Sequence, residues 1–378
     1  MRIVVDGKNQ ALYGGGISHW VSDILPSLIF SFPEDEFLIL SPKIDSAKSN
    51  PVEGLKIFNT YWPKNLPRFL RNPVYDNIIF PGALRKSGAD LIFTPYYDVR
   101  MNPKIPSIIT IHDLCYLDVA ECYPWRIRAY YLFMLKWNLR KAKYVLTVSE
   151  STKSRLMEVF SLSTDQIGVV PNSIPSEFLE AKFSDIDCTN WRVFNIPNFS
   201  NEKLILYSGG LEYRKNINRF FQAAKILWDQ GHEFKILITG NYDFRWSKCL
   251  KEINFYERNI HFLGRLSVND LALGYASVDA VVYPSLCEGF GRACIEAMAM
   301  GTPIACSDID VFREVGGDYP LYFDPFNINM MAQVISKAFH SNKKERYVDL
   351  RFTGKSVKQK FIDVITPIID EIRRSKLQ

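Results

Sequence analysis

Short apolar runs bounded by turn formers recur along the chain, each followed by a longer stretch whose apolar residues return every three or four positions. Ile3 to Asp6, Phe37 to Leu40, Leu91 to Thr94, Ile108 to Ile111, Tyr144 to Val148 and Gly168 to Val170 read as buried strands. A second series runs through Lys203 to Tyr207, Phe234 to Thr239, Ile260 to Leu263, Ala280 to Tyr283, Pro303 to Cys306 and Leu321 to Phe323. Strands that alternate with helices predict a parallel sheet covered on both faces, so the expectation is an α/β chain with the same doubly wound architecture twice. Between the series, Pro171, Pro175 and Pro197 interrupt any periodicity, which puts a hinge between Pro171 and Asn201 and divides the chain into domains 1–184 and 185–355. Asn327 to His340 and Gly354 to Arg374 have helical spacing, and residues 356–378 are expected to pack back on the N-terminal domain as a terminal helix.

Composition adds bounds. The chain has 378 residues, 47% apolar and 23% charged, enough to bury two cores and unlike a disordered chain. A formal charge of +5 suits an anionic ligand without calling for nucleic acid. Seven cysteines, an odd number without a C-x-x-C pair, argue against a disulfide framework or a zinc cluster and for a cytoplasmic protein. The N-terminus lacks a signal-peptide pattern, and no uninterrupted apolar run of about 18 residues offers a membrane span.

The most informative segment runs from Val282 to Pro303. A strand ends at Pro284, a glycine loop comes next, and helix formers continue from about Arg292 to Gly301. A helix N-terminus beside a glycine loop favours an anion such as a diphosphate, because its N–H groups and dipole point at the ligand. Glu288 before the helix and Glu296 two turns along it can accept hydrogen bonds from sugar hydroxyls. A lone pair of this kind is more often two solvated carboxylates.

The surrounding residues favour function. Glu288-Gly-Phe-Gly-x-x-x-x-Glu296, followed by Ala-Met-Ala-x-Gly-x-Pro, resembles the E-x7-E signature of retaining family-4 glycosyltransferases of the GT-B fold, with Arg292-Ala293 where the family usually has Leu-Pro. The resemblance implies two Rossmann-like domains facing a cleft, with Glu288 on the donor sugar, Glu296 on the nucleotide ribose, and Gly289, Phe290, Gly291 and Leu263 around the donor. Tyr207-Ser208-Gly209-Gly210 through Arg214-Lys215-Asn216 is similar to the family's phosphate loop. Ser208, Gly209 and Lys215 are then donor-binding, and Arg214 supplies a second cation where many members have an arginine in place of Gly210. Gly14-Gly15-Gly16-Ile17 resembles the N-terminal glycine loop, placing Gly15 and Gly16 at the donor diphosphate or acceptor. His112 in Ile111-His112-Asp113-Leu114 is similar to the family histidine that meets the donor sugar. With His112, Lys215 and Glu288 as catalytic residues, the implied reaction moves a hexosyl or deoxyhexosyl unit from a nucleotide-diphosphate sugar to a saccharide or lipid-linked saccharide. GDP-mannose leads as donor, in bacterial surface-polysaccharide synthesis. No D-x-D pair calls for a metal, and no other cofactor is implied.

Two alternatives stay open. A nucleotide-sugar-binding module without catalysis would keep the same residues. A nicotinamide oxidoreductase is disfavoured because His19 stands where the dinucleotide fingerprint needs its third glycine. Trp125 to Lys143 holds six cations and no acid among many aromatics, and it reads equally as a packed helix or as a contact for anionic membrane.

Overall fold

A computed structural model of the chain describes residues 1–8, 16–42, 53–96, 104–181, 203–210, 212–240 and 258–377. The chain forms two compact units, Met1–Ser173 with Gly354–Gln378, and Ile174–Thr353. In the first, β1 (Arg2–Asp6), β2 (Glu36–Pro42), β3 (Leu55–Thr60), β4 (Leu91–Thr94), β5 (Ser107–Ile111), β6 (Tyr144–Thr147) and β7 (Ile167–Val169) form one parallel sheet in the order β3-β2-β1-β4-β5-β6-β7. In the second, β8 (Lys203–Ser208), β9 (Phe234–Thr239), β10 (Ile260–Gly264), β11 (Ala280–Tyr283), β12 (Ile304–Ser307) and β13 (Leu321–Phe323) are ordered β10-β9-β8-β11-β12-β13. Every pairing is parallel, with Ile3, Val4 and Val5 beside Leu91, Ile92 and Phe93, and Ala280 and Val281 beside Ile205 and Leu206. The winding reverses between β1 and β4 and again between β8 and β11, which opens a ligand crevice at each carboxyl edge.

Fully buried strands explain why these elements were legible: β4, β5, β11 and β12 carry no exposed residue. The strand that escaped the periodicity, β3, is an edge strand with Ile57 and Phe58 facing solvent, so it lacks the apolar run of a central strand. The helices include α1 (Gly16–Ser31), α2 (Trp125–Leu139), α3 (Ile217–Asp229), α4 (Val268–Ser277), α5 (Arg292–Ala299) and α6 (Gly354–Leu377).

The boundary falls earlier than a 184/185 division because the short helix Ser176–Glu180 belongs to the second unit. Phe178 meets Tyr275 edge-on at 5.4 Å, and the Arg346 guanidinium donates to the carbonyls of Phe178 and Ala181 at 2.5 and 2.7 Å. The exit also comes early, at Thr353. Helix α6 returns to the first unit, where Phe361 packs on Trp20 and Phe93, and Arg373 pairs with Asp35 at 2.6 Å. The cysteine reading needs correction, since spacing along a chain does not limit which thiols form disulfides: Cys115 and Cys287 each take part in a disulfide, whereas Cys294 and Cys306 are buried thiols.

Candidate active site

The carboxyl ends of β8 and β11, neighbours across the reversal in the second sheet, carry the main constellation. The Tyr283 hydroxyl donates to the Ser208 carbonyl and ties the two strand ends together. After β8 the chain passes Gly209 and Gly210, makes a 3₁₀ turn at Tyr213–Lys215 and enters α3 through Asn216. Asn216 holds a left-handed φ of 57°, which its short amide side chain tolerates. Its Nδ2 donates to the Pro325 carbonyl at 2.8 Å, and Arg219 donates to its Oδ1 at 2.8 Å. This fixes the turn that aims Lys215.

Arg214 and Lys215 point to the loop after β11. Lys215 Nζ lies 2.6 Å from Glu288 Oε1, and an Arg214 guanidinium nitrogen lies 3.2 Å from Oε2. Ser285 Oγ also donates to Oε1, at 2.6 Å. The backbone locks the same loops, with Leu286 N donating to the Arg214 carbonyl at 2.7 Å. Burial on its own would push the Glu288 carboxyl up; the charges of Lys215 and Arg214, with the Lys215 and Ser285 hydrogen bonds, outweigh it and hold the pKa down at about 2. Glu288 is therefore an anion at neutral pH, and two cations face one carboxylate.

Helix α5 begins behind this cluster at Gly291, whose φ of 87° and approach to Phe312 exclude a side chain: a Cβ would stand 2.6 Å from the ring. No side chain caps the helix. Two turns along, Glu296 is 4% exposed and has a partner on each oxygen, Arg292 at 3.2 Å from Oε1 and the Tyr275 hydroxyl at 2.9 Å from Oε2. Tyr275, fully buried on α4, keeps its proton because burial, then the neighbouring Tyr283 and Glu296, raise its pKa.

The remaining predicted residues are placed less uniformly. Ser208 and Gly209 lie at the end of β8, half-buried, and Gly289 is half-buried in the loop. The Phe290 ring is buried edge-on against Phe352 at 5.2 Å, which leaves its backbone for a ligand. Leu263 stands on β10, separated from β8 by β9. Gly15 lies outside the described residues, and Gly16 opens α1.

His112, in the first unit, comes directly after β5. Its Nε2 meets the Pro95 carbonyl at 2.9 Å, so that nitrogen carries the proton, and the ring stands edge-on to Trp20 at 5.2 Å. Burial lowers its pKa to about 4 against the opposing pull of the Pro95 hydrogen bond and Asp113, so the imidazole is neutral near pH 7.

Sequence reasoning missed Tyr275, Ser285 and Asn216 as parts of the site. Ser285 lay inside the motif, whereas Tyr275 sits in an apolar helix and reads as core.

With this geometry in place, comparison with known proteins decides the family. Residues 35–178 match the family described as Glycosyltransferase Family 4, and residues 190–351 match Glycosyl transferases group 1. The two matches together take in well over half of the chain. The chain belongs to glycosyltransferase family 4 and has the GT-B fold. It is 30% identical to the O-antigen chain mannosyltransferase RfbU of Salmonella typhimurium, over 57% of this chain and 56% of that protein. It is also 30% identical to O-antigen chain mannosyltransferase B of Escherichia coli, over 62% of each. The aligned region thus spans somewhat over half the length of these relatives. Sucrose-phosphate synthase from Thermosynechococcus elongatus has a similar fold, with a TM-score of 0.70 at 18% identity over 100% of this chain and 99% of that one.

Proposed function

We propose that this family-4 protein is a retaining hexosyltransferase of bacterial surface-polysaccharide synthesis. It would move mannose from GDP-mannose to a saccharide or lipid-linked saccharide, without a metal. The observation that carries the reading is the arrangement of Lys215 and Arg214 around Glu288 at the reversal of the second sheet. Both cations stand where a donor diphosphate would meet them, and their charge gains value as the bond from the sugar to the diphosphate breaks. Glu288, committed to both cations and to Ser285, is a poor nucleophile and a good acceptor for a sugar hydroxyl. Its role is to hold the donor sugar beside the cations while the acceptor hydroxyl enters on the face the diphosphate leaves. Gly209, Gly289 and the start of α5 offer close backbone approach to the phosphates, and Glu296 accepts from the ribose. His112, neutral with its proton on Nε2, keeps Nδ1 as an acceptor for a donor-sugar hydroxyl. Similarity to two O-antigen mannosyltransferases supports mannose as the sugar.

Helix α2 supports attachment at the inner face of the cytoplasmic membrane. Met134, Leu135 and Asn138 are buried, while Trp125, Arg126, Ala129, Phe133, Lys136 and Arg140 are exposed, so packing and surface chemistry occupy different sides of one helix. Aromatic rings among cations suit an anionic lipid surface. Arg128 is not part of that face, because its Nε donates to the Tyr116 carbonyl at 3.1 Å. No helix among the described residues is long and apolar enough to cross a membrane.

The test is transfer from GDP-mannose and from UDP-hexoses to diphosphate-linked saccharide acceptors, with the anomeric configuration of the product read by NMR. An α-linked mannoside from the α-linked donor is expected. An inverted product overturns retention, and donor binding without transfer or donor hydrolysis returns the protein to the class of binding modules.

A further inference from the structure

Arginine at the first position of α5 opposes the helix dipole, so the helix itself gives no reason for Arg292 to be there. Its guanidinium reaches one turn on to Glu296, with Nη2 3.2 Å from Oε1, and the Tyr275 hydroxyl donates to Oε2. An exposed pair at this spacing would be an ordinary surface contact. Here the Glu296 side chain is 6% exposed and that of Arg292 23%, so the pair is largely withdrawn from water and its geometry is restricted. Arg292 Nε is buried without a hydrogen-bond partner, whereas an arginine retained for structure alone ordinarily satisfies the N–H groups it buries.

We propose that Arg292 is a positioning residue that makes the site selective for a ribonucleotide: clamped between Arg292 and Tyr275, the Glu296 carboxylate presents its remaining lone pairs in one direction, towards the ribose hydroxyls of the donor. A carboxylate has about four acceptor positions, so two protein donors leave room for a ribose diol. The clamp also fixes Glu296 before the nucleotide arrives, so the ordering of that side chain is not charged to binding. This inference rests on the reading of the second unit as the nucleotide site.

Calorimetry of the full chain with GDP and UDP, each compared with its 2′,3′-dideoxy analogue, tests it. Wild type is expected to bind the ribose form on the order of tenfold or more tightly, the worth of a hydrogen bond to a charged group. Arg292→Leu should collapse that ratio towards one by weakening the ribose form while the dideoxy form holds. Arg292→Lys, which keeps the charge without the planar fork, should fall between, and Tyr275→Phe should lower the ratio from the other side of the clamp. A wild-type ratio in folded Arg292→Leu overturns the proposal. So does an equal loss for ribose and dideoxy forms, which would place Arg292 on the phosphates or in the stability of the helix. Glu296→Gln separates the two levels of the argument: if it keeps the full ratio, or if neither nucleotide binds wild type, the reading of the nucleotide site itself fails.

Discussion

At the carboxyl edge of the C-terminal sheet the charged groups are within reach of a ligand: the side chains of Glu288, Lys215 and Arg214 are 13%, 14% and 19% exposed. At the corresponding edge of the N-terminal sheet, the described residues include a charged pair that is sealed. Lys8, just after β1, pairs with Asp76 at 2.5 Å with 0% and 1% exposed, and the Tyr130 hydroxyl donates to the same aspartate. His112, at the end of β5, is kept neutral by burial. The difference shows what each edge can do. Charges already facing a crevice can answer a diphosphate whose charge grows during reaction, because they need little reorganisation at that moment. A sealed ion pair and a neutral imidazole instead present no net charge to a ligand.

Lys215→Ala challenges the role of the C-terminal edge most severely. Single-turnover transfer at saturating GDP-mannose should fall on the order of a hundredfold to a thousandfold, with a smaller change in donor affinity, because the lost interaction belongs to the transition state. A folded variant that reacts at the wild-type rate would remove Lys215 from the leaving group.

His112 probes the N-terminal edge through pH. Its folded pKa of about 4 lies below the unfolded value of about 6.5, so between these values the unfolded chain binds a proton that the folded one refuses. Its contribution is present above pH 6.5 and is lost as pH falls towards 4, worth roughly 3 kcal/mol at most. Denaturant midpoints should fall more steeply in that window for wild type than for His112→Gln. Parallel curves would show that the ring is not held neutral. The transfer rate should likewise show no His112 inflection from pH 5 to 8.

Glu296→Ala separates binding from chemistry within the C-terminal unit, since it should weaken nucleoside diphosphate binding by about 1.5 to 3 kcal/mol and leave the chemical step nearly unchanged. Unchanged affinity in calorimetry contradicts a ribose role. The smallest effect is expected at the surface. Lys136→Gln on the exposed side of α2 should weaken binding to anionic vesicles, read by sedimentation, by about 1 kcal/mol, an effect that high salt abolishes in wild type. If wild type never sediments with such vesicles, its aromatic face does not meet lipid.

Among the described residues, twelve of the thirteen strands could be read in the sequence because their apolar residues form continuous runs, as burial within a covered sheet requires. The exception, β3, faces solvent at the sheet edge and has no such run. Within the candidate site, Glu288, Glu296, Arg214 and Lys215 were singled out because their order and spacing resemble the family's motifs, whereas the two carboxylates alone would read as solvated. Tyr275 was not, because a tyrosine in an apolar helix looks the same whether its hydroxyl is idle or, as here, is bonded to Glu296. Arg292 stood in the motif, but nothing in its spacing showed that its partner would be the buried Glu296 rather than water.

Hydrophobic period and glycine–charge motifs are local properties of a chain, and they were enough to give the repeated α/β architecture and the family. Which charges meet is a property of the folded molecule. Lys215 and Glu288 are brought to 2.6 Å because β8 and β11 are neighbours across the reversal of the sheet. Lys8 and Asp76 are brought to 2.5 Å and then sealed. Whether a charge faces a crevice or is closed off depends on what packs around it, and residues distant in the chain supply that packing.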